Sequence, residues 1–373
     1  MTSEQPFFSV LIPTKNKEEY IGFAITSILK QTFQDFEIIV TDNSTKKING
    51  IIAAFNDRRI KYFQAQKPLM INDNWNFALS KASGRYIIMI GDDDYLMPEC
   101  LQDYYSAIQE FDSPDLIYNN FANFDYAKTK LMVNGGNDGK KVEMDRKALL
   151  KSAFDFKFPL PGQSVSCFSN SVCKKVTQRL GAPYNGAFPD FFAHCAIIAF
   201  SRRIIKINKV NVIFGRTKAS IADKQILGKP GEGFDETFKI EKTPLSPILF
   251  CDGAYETMLA LKRLLPEFFD GYEINTHNYF AWASRLIADQ AFIRPTKSLF
   301  FKFVSMAPID VSIKFPLDMM RALALRAYLN INIKTINTKR EHEVFISKAL
   351  QNIADCADFL STINNQPSGQ KHN

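Results

Sequence analysis

The chain has 373 residues, of which 46% are hydrophobic and 23% are charged, and its formal net charge is +7. This length allows two domains or one large domain with an appendage, and the composition is ordinary for a globular protein. The modest positive charge suits an anionic substrate such as a nucleotide diphosphate, or an anionic membrane surface. Nucleic acid is not expected as a partner, because no basic cluster alternates with aromatic residues as it does in the recognised binding modules.

The six cysteines form no CxxC pair and show no zinc-type spacing. The sequence also shows no signal peptide and no apolar run as long as a transmembrane helix. We therefore expect free thiols and a cytoplasmic protein.

Strand-like and helix-like segments alternate in the N-terminal half. The predicted strands cover residues 7–12, 36–40, about 60–63 and 85–90. One predicted helix begins at residue 18, a second follows the strand at 36–40 and ends near residue 56, and a third covers about 74–82. Strands separated by helices predict right-handed βαβ units and a doubly wound, mostly parallel sheet of the α/β class.

The most informative motif is the run Gly91-Asp92-Asp93-Asp94, directly after the fourth predicted strand. Open α/β sheets bind ligands at the carboxyl ends of their strands, so these carboxylates lie where a ligand is expected. Neighbouring carboxylates repel one another, and a hard divalent cation held by oxygen ligands relieves that repulsion. The motif indicates Mg²⁺ or Mn²⁺ with a phosphate-bearing substrate, or else an Asp-rich turn that caps the helix after Pro98.

Asp42 follows the second predicted strand in the same way, so it emerges at the same edge of the sheet. A carboxylate there can accept hydrogen bonds from a nucleobase N–H or a ribose hydroxyl. The alternative is that Asp42 or Ser44 caps a helix.

Four segments carry a family resemblance: FSVLIPTKN, SILKQTFQDFEIIVTDNS, ALSKASGRYI and GDDDYLMPE. In order and spacing, across roughly residues 7–100, they resemble the inverting family 2 glycosyltransferases. The resemblance fades through residues 101–235 and does not extend beyond them. It implies the nucleotide-diphospho-sugar-binding fold called GT-A, a Mn²⁺ or Mg²⁺ cofactor, and transfer of a sugar with inversion at the anomeric carbon.

The resemblance assigns donor-binding roles position by position. Asp42 matches the aspartate that contacts the base of the nucleotide, and Pro13 and Thr14 lie in the first nucleotide-binding loop. Asp92 and Asp93 match the metal and ribose aspartates, with Asp93 as the direct ligand of the cation.

Asn76 matches a recurrent asparagine of the family on the helix before the GDDD strand. Three positions depart from the family pattern. Lys15 replaces a frequent tyrosine and could reach a phosphate oxygen, Trp75 replaces a common arginine, and Gly91 replaces the first aspartate of DxDD.

Inverting transfer needs a base for the proton of the acceptor hydroxyl. The segment GAPYNGAFPDFFAHCAIIAF resembles a later region of the family, which makes Asp190 the candidate base. The alternative is an aspartate at a helix N-terminus after Pro189, where the helix dipole favours it. Asp155 and Asp223 are the next candidates, and His194 is a packing residue or an acceptor contact.

The segment FGRTKASIADKQILGKPGEGF stands where relatives often complete the donor site, and Arg216 or Lys218 could contact the diphosphate. The Gly, Lys and Pro content of residues 218–233 suits either a lid over the donor or an ordinary surface loop.

The final third has helical periodicity, which predicts a C-terminal helical appendage. Its predicted helices cover about 255–265, 279–287, 317–329 and 341–360. We expect a catalytic domain at residues 1–235, a helical region at 236–363 and a disordered tail at 364–373. Interleaved Phe and Lys residues between about 297 and 328 predict either peripheral contact with an anionic membrane or a packing surface, including a homodimer interface.

The leading hypothesis is a metal-dependent inverting glycosyltransferase. Its donor is a nucleotide-diphosphate sugar, and its acceptor is a glycan or lipid-linked glycan of surface polysaccharide biosynthesis. A nucleotidyltransferase would be expected to have a glycine-rich loop after the first strand, and IPTKNKEEY contains no glycine. A non-catalytic nucleotide- or sugar-binding module with the same fold is the remaining alternative.

Overall fold

The computed structural model describes residues 5–127, 129–157, 162, 164–186, 188–217, 250–291, 307, 343–346 and 352–364. Within these residues, eleven strands join in one sheet. The strands are β1 Phe8–Thr14, β2 Phe36–Asp42, β3 Ile60–Gln64, β4 Tyr86–Met89, β5 Tyr95–Leu96, β6 Leu116–Asp125, β7 Lys130–Asn134, β8 Lys141–Glu143, β9 Ser166–Ser169, β10 Ile204–Arg216 and β11 Glu343–Ile346. Their main order is β11-β7-β6-β9-β4-β1-β2-β3, and β10 pairs with β5, β6 and β8.

Helices connect and cover these strands. The helices are α1 Ile21–Leu29, α2 Asn49–Ala53, α3 Ile71–Lys81, α4 Cys100–Glu110, α5 Arg146–Phe154, α6 Asn170–Leu180, α7 Pro189–Phe200, α8 Phe250–Leu264, α9 Pro266–Phe269, α10 Thr276–Ala291 and α11 Ile353–Asn364.

The four N-terminal strands β3, β2, β1 and β4 pair in parallel, as predicted. Side chains alternate between the two faces of a strand, and both faces of β1, β2 and β4 are buried, whereas the edge strand β3 is only partly buried. Leu11, Ile39 and Met89 pack with α7 on one face, and Val10 and Ile38 pack with α1 and α4 on the other. The prediction of a doubly wound α/β sheet is therefore confirmed. Beyond β4 the sheet is mixed, because β9 and β7 join it antiparallel.

The carboxyl ends of β1, β2 and β4 meet at one edge of the sheet. Thr14, the last residue of β1, is in register with Asp42, the last residue of β2. Met89, the last residue of β4, is in register with Leu11. The loops after β1, β2 and β4 therefore emerge side by side.

In the C-terminal region, α8 and α10 confirm two of the predicted helices. Helix α8 packs against α7, and α10 packs against α8. The prediction of one helix over residues 341–360 is wrong. Glu343–Ile346 is a strand that pairs antiparallel with β7. A separate helix follows, because the Asn352 side chain accepts hydrogen bonds from the backbone N–H groups of Ala354 and Asp355 and so starts α11. The predicted helix at 317–329 and the Phe/Lys-rich stretch lie outside the described residues, apart from Ala307.

All six cysteines are free and buried, which confirms the prediction of unpaired thiols. No helix in the described ranges is both long enough and apolar enough to span a bilayer.

We predict that Gly84→Ala destabilises the protein. A Cβ at this position, just before β4, would lie 2.5 Å from the backbone nitrogen of Ser9 in the neighbouring strand β1. Forcing these strands apart should lower the free energy of unfolding by about 1–3 kcal/mol, visible as a lower midpoint of thermal unfolding. Gly22→Ala is the control, because a Cβ on Gly22 in α1 meets nothing within 4 Å. Equal effects of the two substitutions would contradict the prediction.

Candidate functional site

The loop after β1 is fastened to the first aspartate after β4. The Thr14 hydroxyl donates a hydrogen bond to Asp92 Oδ2 at 2.6 Å, and the backbone N–H of Lys15 approaches the same oxygen at 3.4 Å. Pro13 and Thr14 are buried, whereas the Lys15 side chain is exposed. Burial, together with the charge of Asp93, raises the pKa of Asp92. The structure thus brings together Pro13, Thr14 and Asp92, which were predicted to bind the donor.

Asp93 is paired with a lysine that the sequence did not single out. Lys17 Nζ lies 2.6 Å from Asp93 Oδ2 and donates a second hydrogen bond to Thr217 Oγ1 at 2.7 Å. The Thr217 hydroxyl donates to the same Asp93 oxygen at 3.2 Å. The side chains of Lys17 and Asp93 are only 11% and 13% exposed. Lys17 directly precedes the predicted helix start at residue 18, and Thr217 is 124 residues away from Asp93 along the chain. Neither residue therefore has a local sequence signal for this contact.

Asp94 has an internal role. Its carboxylate accepts hydrogen bonds from the backbone N–H groups of Gly91 at 2.8 Å and Gly215 at 3.2 Å. Burial and the charge of Asp93 raise the pKa of Asp94. A Cβ at Gly91 would lie 2.9 Å from Asp94 Oδ2, and one at Gly215 would lie 1.7 Å from the Asp93 carbonyl oxygen. Gly91 is therefore explained by the close packing of the aspartate turn.

The protein itself offers few oxygen ligands for a divalent cation at this site. Within the described residues, no three His, Cys, Asp or Glu side chains come together as a cation cage. Asp94 is directed to backbone N–H groups, and Asp92 is held by Thr14, which leaves Asp93 as the carboxylate best placed to act as a ligand. Because Mg²⁺ commonly binds through one or two carboxylates plus substrate phosphates, this set fits a cation that is held largely by a bound diphosphate.

Asp42 is 1% exposed, and both of its carboxylate oxygens accept hydrogen bonds within the protein. Asp42 Oδ1 accepts from the N–H of Ser44 at 2.8 Å, and Oδ2 accepts from the Tyr62 hydroxyl at 2.6 Å and from the N–H of Ile48 at 3.3 Å. Burial and the adjacent Asp42 raise the pKa of Tyr62. Asp42 thus fixes the loop between β2 and α2, and its contact with a nucleotide base stays a prediction.

Helix α3 connects the β1 loop with the loop before α7. The Asn76 side chain donates to the carbonyl oxygen of Tyr184 at 2.8 Å and accepts from the N–H of Tyr184 at 3.2 Å. Asn72 donates to the carbonyl oxygen of Gly186 at 3.1 Å. On the same helix, Asn74 donates to the carbonyl oxygen of Thr14 at 3.4 Å. Asn76, which was predicted to bind the nucleotide, therefore positions the loop that precedes Asp190.

Asp190 is the second residue of α7 and is half-buried. The sequence predicts that Phe191, Phe192, Cys195 and Ile198 form the buried face behind it. Phe192, Cys195 and Ile198 are fully buried, whereas Phe191 is only partly buried. His194 Nδ1 donates to the backbone carbonyl of Asp190 at 2.8 Å. His194 is 1% exposed and burial lowers its pKa, so it is a neutral packing residue of the helix.

Asp155 and Asp223 are the other candidate bases. Burial tends to raise the pKa of Asp155, but hydrogen bonds from Lys151 and the charge of Lys157 outweigh this and lower it. The Lys151 ammonium lies 3.1 Å from Asp155 Oδ1, and Asn278 of α10 donates to the Asp155 backbone carbonyl at 2.7 Å. Asp155 thus has a structural role, while Asp223 lies outside the described residues.

Arg216 ends β10 next to Thr217, and its side chain is exposed. This places Arg216 beside the Lys17–Asp93–Thr217 contacts, while its contact with a diphosphate stays a prediction. Lys218 and the expected lid at 218–233 lie outside the described residues.

Comparison with known proteins agrees with the resemblance. Residues 9–174 match the model of the family described as glycosyl transferase family 2. The chain is 32% identical over 120 residues to glycosyltransferase GlyG of Streptococcus pneumoniae, covering 31% of this chain and 40% of that protein. It is 39% identical over 100 residues to the GalNAc(5)-diNAcBac-PP-undecaprenol beta-1,3-glucosyltransferase of Campylobacter jejuni, covering 26% of this chain and 32% of that protein. The chain thus spans less than half the length of these curated relatives.

The fold also has a counterpart among solved structures. The crystal structure of S. aureus TarS 1–349 in complex with UDP-GlcNAc superposes with a TM-score of 0.50 and 16% identity, over 92% of this chain and 97% of that one. The architecture is that of a GT-A glycosyltransferase, as predicted. The match to the glycosyl transferase family 2 model covers the strands β1 to β4 and the aspartate turn that follows them.

We predict that Asn76→Ala lowers stability more than it lowers nucleotide affinity. The substitution removes both hydrogen bonds to Tyr184, which should cost about 1–3 kcal/mol of unfolding free energy. Thermal unfolding and nucleotide titration of the same variant separate the two effects. Ser80→Ala is the control on the exposed side of α3. Lost nucleotide affinity with unchanged stability would instead show that Asn76 contacts the donor.

Proposed function

We propose that this protein transfers a sugar, with inversion, from a nucleotide-diphosphate donor to a hydroxyl of a glycan or lipid-linked glycan acceptor. One observation carries the proposal. Within a family 2 domain, Asp92 and Asp93 are held against the β1 loop by Thr14 and Lys17, at the sheet edge where α/β folds bind ligands.

The donor would lie along the carboxyl ends of β1, β2 and β4. Asp93 would hold a Mn²⁺ or Mg²⁺ ion together with the diphosphate, and Asp92 would serve as the second acidic contact. When bound, such an ion stabilises the charge that develops on the departing diphosphate. Lys15 and Arg216 are both exposed at this edge and supply positive charge for the phosphates. Asp42 orders the loop beside the expected position of the base.

The acceptor side would use Asp190 as the general base. The acceptor hydroxyl oxygen attacks the anomeric carbon as the bond to the diphosphate breaks, and the hydroxyl proton passes to the Asp190 carboxylate. A base in hydrogen-bond reach contributes typically about 10²–10⁴-fold to such a step. Asn76 and Asn72 on α3 hold the loop before Asp190, and the same helix also contacts the β1 loop. Helix α3 therefore positions both the donor loop and the proposed base.

The names of two relatives support the acceptor class. The Campylobacter jejuni protein is named for an undecaprenol-linked glycan, and TarS of Staphylococcus aureus is named a poly(ribitol-phosphate) beta-N-acetylglucosaminyltransferase. We therefore extend the proposal to surface polysaccharide biosynthesis at the cytoplasmic side of the membrane. The Phe/Lys-rich stretch would then either contact the membrane surface or form a homodimer interface.

The experiment compares Asp190→Asn with Asp93→Ala in a nucleotide-release assay on a panel of UDP-, GDP- and dTDP-sugars. Asp190→Asn should lower turnover by about 10²–10⁴-fold, because the base is lost, while nucleotide affinity stays close to that of the wild type. Asp93→Ala should abolish turnover and metal-dependent nucleotide binding. It should also lower thermal stability, because the nearly buried Lys17 ammonium loses its carboxylate partner. Asp155→Asn serves as the comparison and should keep its turnover.

Two results would contradict the proposal. Turnover that survives Asp93→Ala would show that the metal site is assigned wrongly. An Asp190→Asn variant that loses nucleotide binding and turnover equally would show that Asp190 is not the base.

A further inference from the structure

We propose that Lys17 is a built-in counter-cation of Asp93, which a divalent ion replaces only when a nucleoside diphosphate binds with it. The inference rests on the proposed function, because it concerns the same donor site. It assigns Lys17 a role in making metal binding depend on the donor.

The Lys17 ammonium already has the contacts of a bound cation. It lies 2.6 Å from Asp93 Oδ2 and 2.7 Å from Thr217 Oγ1, and the Tyr20 ring centroid is 5.5 Å away. Both members of the ion pair are nearly buried, at 11% and 13% exposure, so the pair is shielded from solvent far more than a surface salt bridge. The pair thus neutralises a carboxylate that lies between two buried ones, Asp92 and Asp94.

Lys17 and a divalent ion compete for the same oxygen. A Mg²⁺ ligand oxygen lies at about 2.0–2.1 Å from the ion. An ion bound to Asp93 Oδ2 and an ammonium 2.6 Å from that oxygen would be two cations within a few ångströms of each other. Binding of the ion therefore requires Lys17 to leave Asp93, and the loss of that pair opposes metal binding.

A diphosphate removes this opposition. Its oxygens supply additional ligands for the divalent ion and a new anionic partner for the displaced ammonium. The lysine side chain carries its charge on a flexible stem, so Nζ can turn while the backbone stays fixed. The backbone here is anchored next to Lys17, because the N–H of Asn16 donates to Ser44 Oγ and the Asn16 side chain accepts from the N–H of Thr45.

The consequence is cooperative binding of metal and nucleotide. Without nucleotide, the wild-type protein should bind Mn²⁺ weakly, because each ion must break the Lys17–Asp93 pair. With nucleotide, the affinity for Mn²⁺ should rise, and the affinity for nucleotide should rise by the same factor when Mn²⁺ is present.

The test measures Mn²⁺ binding by the electron paramagnetic resonance signal of the free ion, with and without UDP, GDP or dTDP, and needs no turnover. Lys17→Met removes the ammonium and keeps the aliphatic chain. It should bind Mn²⁺ about tenfold more tightly than the wild type without nucleotide, and its gain on adding nucleotide should shrink by a similar factor. Lys17→Gln keeps a polar group toward Asp93 and Thr217, and it replaces Lys17→Met if the latter does not fold.

Two controls test whether the gain in Mn²⁺ affinity is specific to the loss of the Lys17 ammonium beside Asp93. Lys15→Met removes the same charge from the same loop, but the Lys15 side chain is exposed, so it should change nucleotide-free Mn²⁺ affinity far less. Adding Asp93→Asn to Lys17→Met should remove the gained Mn²⁺ binding.

The outcomes separate this inference from the proposed function. Unchanged Mn²⁺ affinity in Lys17→Met and Lys17→Gln overturns the inference, as does an equal gain in Lys15→Met. If wild-type protein still binds Mn²⁺ with nucleotide and loses it in Asp93→Ala, the proposed donor site stands without the inference. If no variant binds Mn²⁺ with or without nucleotide, the inference and the metal dependence both fail.

Discussion

Three consecutive carboxylates at the end of a buried strand repel one another, and each of them needs a partner of its own. Asp92 receives the Thr14 hydroxyl, Asp93 receives the Lys17 ammonium, and Asp94 receives two backbone N–H groups. These partners come from the loop after β1, from the aspartate turn and from the end of β10. Stabilising the aspartates therefore fixes the position of three chain segments around one site. The close packing also explains why Gly91 and Gly215 have no side chain.

The same arrangement links the two halves of the proposed reaction. Helix α3 contacts the β1 loop through Asn74 and the loop before α7 through Asn72 and Asn76. A rigid helix between the donor loop and the proposed base would hold their separation constant. In-line displacement depends on such positioning, because small errors in the distance between reacting groups cost large factors in rate. These contacts explain why α3 has polar asparagines at positions where a helix that only packs in the core would have apolar residues.

Much of the fold was predictable because its signals are local. Short apolar strands such as 36–40, separated by helices, predicted the parallel sheet, and the polar residues after them marked the ligand edge. The roles of single side chains depended on distant contacts. Nothing near Lys17 in the sequence indicates Thr217, and nothing near Asn76 indicates Tyr184, 108 residues later. The strand β11 was missed because its pairing with β7 is made by a segment far away in the chain.

The most direct test of the account is thermal stabilisation by UDP, GDP, dTDP and, as an outgroup, CMP, each with and without Mn²⁺. A ligand that binds only the folded state at a hundred times its Kd stabilises by about 2.7 kcal/mol, which is readily measured. We expect a clear upward shift with one nucleoside diphosphate, dependent on Mn²⁺ and absent in Asp93→Ala. No shift with any nucleotide, or a shift that survives without Mn²⁺ and without Asp93, would contradict the assignment of this edge of the sheet as a metal-dependent donor site.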